Sequence, residues 1–437
     1  MARRRTHVPI AVFLNGRPVG QLRRQANGAV EFQYDQSWLT WEHALPVSLS
    51  LPLREDRYTG DRVTVVFDNL LPDSAAIRRR MAERMGADGD DVYSLLAKVG
   101  RDCVGALQFL PEDASPGPAG GVEGRKIDYD EIASRLEALA SAPLGMDGSE
   151  EFRISLAGAQ EKTALLLWND HWHVPHGTTP TTHILKPQIG RLPGGIDFPQ
   201  SVENEYFCLK LAAALGLPAA NAEIRAFGGR NVLVVERFDR VWARDGRLLR
   251  VPQEDCCQAL SVPPTRKYEA EGGPGMAAIL DLLKGSDQPE EDRRAFLKAH
   301  ILFWLMAATD GHAKNFSLFL RPGGRFRLAP LYDVMSTQPA LDSGQLQRNK
   351  MKLALAVGTR RHYAVHEIAP RHFIESAAQS GLSATVVREI FHDIRAVAED
   401  AISRVTAALP TDFPEEIAVS VLAGLRARLQ LTEQVEA

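Results

Sequence analysis

The feature that most constrains this chain is a change in its hydrophobic period. Between Phe152 and about Asp239 the apolar residues mostly fall at period two, in the runs Lys162 to Leu167, Thr182 to Lys186, Ala222 to Ala226 and Val232 to Glu236. One helical stretch, about Ser201 to Leu215, interrupts them and stops at Gly216 with Pro218 beyond. From about Met276 onward long helical segments dominate: Asp292 to Ala308, Ala384 to Leu409 and Glu415 to Leu431. A β-rich unit carrying one helix, followed by a helical unit, is the layout of a two-lobed ATP phosphotransferase. The expected fold is therefore α+β and protein-kinase-like, with a mainly helical C-terminal lobe.

A separate N-terminal α/β unit precedes these lobes. Ile10 to Leu14, the hairpin dipeptide Asn15-Gly16 and Val19 to Leu22 form one expected hairpin, and Ala29 to Tyr34 alternates as a third strand. Pro72-Asp73-Ser74 is a start signal for a helix over Ala75 to Met85, and a second short helix spans Asp90 to Val99 before Gly100. Val104 to Leu110 returns as a strand, and residues 111–126 are rich in Pro, Gly and acid, which marks a linker. The expected domains are residues 1–126, 127–257 and 258–437. That count suits 437 residues at roughly 150 residues per domain.

Composition narrows the function classes. Apolar residues make up 45% and charged residues 24% of the chain, enough for a sizeable core. The net charge of -4 gives no global positive field, so a nucleic-acid contact needs a local patch or a partner. The 4 cysteines form no C-x-x-C pair and no disulfide framework. The apolar run Val8 to Leu14 after the basic start is too short for a signal peptide, and no stretch reaches membrane-span length. A cytoplasmic protein with no membrane partner is the expectation.

The sharpest local feature is Thr309-Asp310-Gly311-His312-Ala313-Lys314-Asn315, directly after a helix. In kinases one Asp accepts the hydroxyl proton and an Asn five residues later holds magnesium. A pair so spaced is common by chance, and a polar loop capped by Asp and Asn is the plain alternative. Order along the chain adds weight. A probable hairpin follows, then Leu331-Tyr332-Asp333-Val334, where a kinase places its second metal ligand. Upstream, Thr182-His-Ile-Leu-Lys186 resembles the strand whose Lys pairs the ATP phosphates, and the next helix offers Glu203 or Glu205 to hold it. Glu205 is preferred because it shares a face with Leu209 and Ala212. Ala157, Gly158, Ala159, Gln160, Glu161 and Lys162 are the candidate phosphate loop, although only one Gly is present. Glu236, Arg237 and Phe238 would form the hinge beside adenine, and Asp239 would take the ribose hydroxyls. His312, Lys314 and Tyr332 complete the expected nucleotide site. Thr309 replaces the Arg of H-R-D and Tyr-Asp-Val replaces D-F-G, so the loop looks more like that of lipid and atypical kinases.

Longer motifs carry a family resemblance. Phe152-Arg-Ile-Ser155-Leu-Ala-Gly-Ala-Gln-Glu-Lys-Thr163, Thr179-Pro-Thr-Thr-His-Ile-Leu-Lys186 and Ala308-Thr-Asp-Gly-His-Ala-Lys-Asn-Phe-Ser317 strongly resemble the HipA toxins, serine/threonine kinases of bacterial type II toxin–antitoxin modules. Phe67 to Asp73, Gly100 to Gly105, Pro370 to Phe373 and Pro410 to Pro414 extend the resemblance over essentially the whole chain. It implies ATP and Mg2+ as cofactors, Asp310 as catalytic base, Asn315 and Asp333 as magnesium ligands and Lys186 on the ATP phosphates. It also implies autophosphorylation of Ser155, which ejects the phosphate loop and silences the enzyme. The implied target is an aminoacyl-tRNA synthetase, foremost glutamyl-tRNA synthetase, with growth arrest and persistence as the outcome. The implied partners are a small helix-turn-helix antitoxin dimer and operator DNA, the toxin acting as corepressor. The N-terminal unit would dock the antitoxin and brace the kinase. Lys350 to His372 is a basic stretch, and Pro370, Arg371, His372 and Phe373 resemble a DNA-contacting tetrapeptide, with Arg371 the preferred contact. Two competing readings are a small-molecule or lipid-type phosphotransferase and a corepressor scaffold without turnover.

Overall fold

The computed structural model describes residues 7–146, 154–158, 160–191 and 195–435. Ala159 of the expected phosphate loop, together with Phe152 and Arg153, lies outside the described residues. The N-terminal unit is a five-stranded antiparallel sheet in the spatial order Tyr58–Thr59, Val30–Tyr34, Arg17–Arg24, Ile10–Leu14, Leu107–Pro111. Its first hairpin turns on Asn15 and Gly16, both with positive φ (47° and 80°), the signature of a type I′ turn. Three helices, Asp61–Asp68, Ala75–Met85 and Val92–Val99, accompany the sheet. The second starts where Ser74 accepts the Ile77 N–H and ends at the left-handed Gly86, as the start and stop signals dictate.

The second sheet is antiparallel and six-stranded, in the order Ala222–Phe227, Arg230–Glu236, His183–Pro187, Thr163–Trp168, His171–Pro175, Gly124–Lys126. The end of the Pro/Gly-rich stretch thus becomes the edge strand of this sheet instead of a loose connection. The helix Ser201–Ala214 packs on its two strands Ala222–Phe227 and Arg230–Glu236.

In the C-terminal lobe the helix Pro289–Met306 is buried almost all round from Phe296 to Met306. It packs against the helices Ala384–Ala407 and Glu415–Gln430. A three-stranded sheet, Gln253–Asp255, Ser317–Arg321 and Arg325–Leu328, carries the loop that follows the central helix. The architecture is the expected two-lobed, kinase-like α+β fold behind an N-terminal α/β unit.

Candidate functional site

The central helix ends because Ala307 turns left-handed (φ 52°), and Ser336 and Thr337 hydroxyls donate to the carbonyls of Met306 and Ala307. The chain therefore leaves the helix at a fixed angle and delivers Asp310 to the surface of the cleft, where it is exposed. The loop is held from inside: the Asp310 carbonyl accepts the His312 N–H and the Asn315 side-chain amide, both at 2.8 Å. Gly311 is required, since a Cβ there would sit 2.3 Å from the Phe303 ring. One Asp310 carboxylate oxygen, Oδ1, accepts the hydroxyl of Tyr268 at 2.6 Å.

Lys186 Nζ donates to Glu205 at 2.8 Å and to Asp333 at 3.0 Å. Glu205 is thus the lysine's helical partner, while Glu203 is taken by Gln188 and Asn231. Asp333 adopts a left-handed backbone (φ 59°), a conformation Asp tolerates at modest cost and that turns its carboxylate toward the lysine. Partial desolvation opposes ionisation of the half-exposed Asp333, but Lys186 and Lys162 override it and hold the carboxyl well below the usual range. Burial and the neighbouring Lys186 push the Lys162 ammonium down to about 8. One strand, one helix and two loop positions thus bring two lysines and two carboxylates together.

The phosphate-loop candidates are clamped by the N-terminal unit. Pro72 pairs with Gly158 and Asp102 with Ile154 as parallel bridges, and Asp73 N–H donates to the Gly158 carbonyl at 3.0 Å. Ala157 and Gly158 are partly exposed, the Gln160 amide donates to Pro187 O at 3.0 Å, and Glu161 pairs with Arg80 at 2.5 Å. Ser155 is 0% exposed, its hydroxyl donating to Leu70 O at 2.7 Å and its N–H to Asp102 O at 2.9 Å.

Several expected contacts are placed elsewhere. Asp239 is buried with Arg237, Arg240 and Arg250 around Asp102, and its carboxylate takes Arg237 and the Gly105 N–H at 2.8 and 2.7 Å. It braces the N-terminal unit against the segment after the strand Arg230–Glu236 and is not available to a ribose. Arg237 N–H already donates to Thr182 O at 2.8 Å, and its side chain belongs to the same network. Glu236 is exposed and lines a hollow of about 440 Å³ with Trp168, His183 and Trp242; that hollow contains none of Lys186, Asp310, Asn315 or Asp333. Phe238 does face inward, its ring packed on Phe319 and Tyr332 at 5.7 and 5.8 Å. The Tyr332 hydroxyl is spent on Ser317 and the Lys314 carbonyl. Lys314 is buried on Asn69 at 2.9 Å with Asp73 and Asp255 beside it, so it ties the N-terminal unit to the loop and does not reach into the cleft. His312 is buried, packs edge-on against Tyr268 and is held toward the neutral form by desolvation.

Of the tetrapeptide opening the helix Pro370–Gln379, only Arg371 is exposed. His372 stacks on His362 at 4.0 Å and Phe373 is in the core, which corrects the expectation that all four could touch DNA. Sequence reasoning missed Tyr268 and the Asp102 clamp. Among the described residues, no helix is long and apolar enough to cross a membrane.

Chemically, the cleft offers a cation held between two acids and an exposed carboxylate on a rigid loop, the arrangement that phosphoryl transfer uses. Comparison with known proteins agrees. Residues 154–402 match the HipA-like C-terminal domain and residues 10–110 the HipA N-terminal domain. The kinase-designated protein Y4mE of Sinorhizobium fredii is 37% identical over 398 residues, covering 90% of this chain and 91% of the relative. The serine/threonine-protein kinase toxin HipA of Shewanella oneidensis is 28% identical over 338 residues, covering 74% of this chain and 72% of the toxin. The solved complex of Shewanella oneidensis HipA with HipB and its operator DNA superposes with a TM-score of 0.82 at 25% identity, over 98% of this chain and 99% of that one. With both family domains in order and relatives along nearly its whole length, this chain belongs to the HipA family of kinase toxins.

Proposed function

We propose that the protein is an ATP-dependent serine/threonine kinase that modifies an aminoacyl-tRNA synthetase, foremost glutamyl-tRNA synthetase, and so arrests growth. The observation that carries this reading is Lys186 fixed between Glu205 and Asp333, with Asp310 exposed on its loop. Asp310 takes the proton of the acceptor hydroxyl as the new O–P bond forms and the bond from the γ-phosphorus to the β,γ-bridging oxygen breaks, leaving ADP. Lys186 and Lys162 hold phosphate oxygens, and Phe238 and Tyr332 offer apolar surface to the base.

Asn315 and Asp333 would hold magnesium. They fit it: both present hard oxygen donors, since Asp333 meets Lys186 through Oδ1 and Asn315 donates its amide nitrogen to Asp310 O, each keeping a side-chain oxygen for the ion. Bound there, the ion would neutralise charge developing on the phosphates.

Ser155 supports a self-silencing step. Fully buried under Leu70, it is reached only when its loop leaves the seat beside the N-terminal unit, and a phosphate there could not return to a dry site. A helix-turn-helix antitoxin and operator DNA are the proposed partners, by analogy with the HipA–HipB–operator complex. For DNA, Arg371 and the hollow lined by Lys350, Lys352 and Arg361, beside Glu367, offer a local positive patch.

Induced expression tests the reading in cells. The wild-type chain should stop growth, Asp310→Asn should not, and Ser155→Ala should arrest growth for longer because it cannot silence itself. Arrest by Asp310→Asn at wild-type protein level would overturn the kinase mechanism.

A further inference from the structure

The segment Pro264 to Gly275 crosses the front of the catalytic loop, and three consecutive side chains in it go to three different parts of the molecule. Lys267 Nζ pairs with Asp73 of the N-terminal unit at 2.8 Å. The Tyr268 hydroxyl donates to Asp310 Oδ1 at 2.6 Å, and its ring lies edge-on against His312 with centroids 5.0 Å apart. Glu269 accepts the Ala356 N–H at 2.6 Å and pairs with Arg361 at 3.2 Å. The backbone is fixed as well. Gly273 N–H donates to Tyr268 O at 2.9 Å, and a Cβ at Gly273 would lie 2.1 Å from Arg266 O. Tyr268 is therefore held on both sides by its neighbours' ion pairs and from below by a tight turn, and its hydroxyl is not a mobile group that happens to rest on the aspartate.

An exposed aspartate can rotate its carboxylate plane, and rotation spoils the alignment that in-line transfer requires. A hydrogen bond to an ionised carboxylate is short and directional. We propose that Tyr268 is a positioning residue for the base: it anchors Oδ1 of Asp310 so that Oδ2 faces the acceptor hydroxyl, and the Lys267–Asp73 pair sets its position from the N-terminal unit. This inference rests on the reading of Asp310 as the base. It gives the N-terminal unit a direct hold on the chemistry, since Asp73 also contacts the phosphate loop through its N–H to Gly158 and faces Lys314 of the catalytic loop at 3.4 Å.

The test measures labelled γ-phosphate transfer from ATP with magnesium to glutamyl-tRNA synthetase by wild type, Tyr268→Phe, Lys267→Met, Tyr268→Phe/Lys267→Met and Asp310→Asn. Affinity for a fluorescent ATP analogue is measured in parallel as a check on the fold of the site. Tyr268→Phe should lower kcat roughly tenfold to hundredfold with KM for both substrates and nucleotide affinity essentially unchanged. Lys267→Met should lower kcat less, and the double variant should be no slower than Tyr268→Phe, because both act through one hydroxyl. A Tyr268→Phe enzyme as fast as wild type, or faster as a released gate would be, overturns the inference, as does an effect confined to KM. A crystal structure of the nucleotide complex in which the Tyr268 hydroxyl has left Oδ1 overturns it too. A wild type as inert as Asp310→Asn would remove the reading of Asp310 as base and the inference with it. Transfer by wild type, none by Asp310→Asn and full rate in Tyr268→Phe would remove the inference alone.

Discussion

Replacing Lys186 by Met keeps the length of the side chain and removes only its charge, so the cost can be worked from what surrounds it. The side chains of Lys186 and Glu205 are 9% and 7% exposed, whereas that of Asp333 is 40% exposed. Asp333 can regain water and accounts for little of the loss. Glu205 cannot, and breaking a buried pair by removing one partner costs about 3–5 kcal/mol. Burial already pushes the Glu205 carboxyl above its usual range against the pull of Lys186, and the variant loses that pull. The remaining escape is protonation. A carboxyl whose folded pKa is raised gives stability that is present below its unfolded value and lost as pH rises through the folded value. Lys186→Met should therefore be destabilised by about 3–5 kcal/mol at pH 8 and by clearly less at pH 5, the difference building at up to about 1.4 kcal/mol per pH unit. Guanidinium unfolding at both pH values, following the transition of the kinase lobes, measures it. Lys186→Met/Glu205→Leu should recover most of the loss at pH 8. An equal loss at both pH values, or no recovery in the double variant, would refute the argument that the unpaired Glu205 carries the cost.

Lys162, pushed down to about 8 by burial and Lys186, should regain its proton when phosphates bind. Calorimetry at pH 8 in buffers of different ionisation enthalpy should show uptake of about half a proton on ATP binding, absent in Lys162→Met; equal uptake by both proteins would contradict this. Gly311→Ala forces a Cβ into the Phe303 ring and should displace the catalytic loop, lowering transfer at least ~tenfold and stability by about 1–3 kcal/mol; unchanged kcat would show that the loop tolerates it. Glu254, buried and pushed up to about 8, accepts the Leu49 N–H at 2.8 Å where the N-terminal unit meets the second sheet's C-terminal neighbour Gln253–Asp255. Its raised value makes wild-type stability fall as pH rises from about 5 to 8, and Glu254→Gln should flatten that slope in thermal unfolding across the range.

How much of this was legible in the sequence follows from the range of the interactions. The helix Ala75–Met85, the Asn15-Gly16 hairpin and the exit of the central helix into Asp310 are set by residues a few positions apart, and they occur where the local signals place them. The Lys186–Glu205 pair was within reach because it joins a strand to the next helix, 19 residues on. The corrections at Asp239 and Lys314 involve distant partners. Asp239 looked like a ribose ligand because it follows the hinge, but the arginines that claim it surround Asp102, 135 residues from Arg237 and 148 from Arg250. Lys314 sits inside the catalytic motif, yet its partner Asn69 is 245 residues away. His372 and Phe373 belong to a motif read as a surface, but amphipathic packing turns them inward and leaves Arg371 outside. Tyr268 escaped notice because nothing in its own neighbourhood shows that the base lies 42 residues further on.

The most direct test of the central claim is labelled γ-phosphate transfer in vitro, with purified protein, magnesium, and glutamyl-tRNA synthetase with and without tRNA, beside Asp310→Asn. The account predicts label on a serine of the synthetase in the wild-type reaction, and none with Asp310→Asn. Label on neither the synthetase nor the protein's own Ser155, from a chain that still binds ATP, would contradict the kinase assignment.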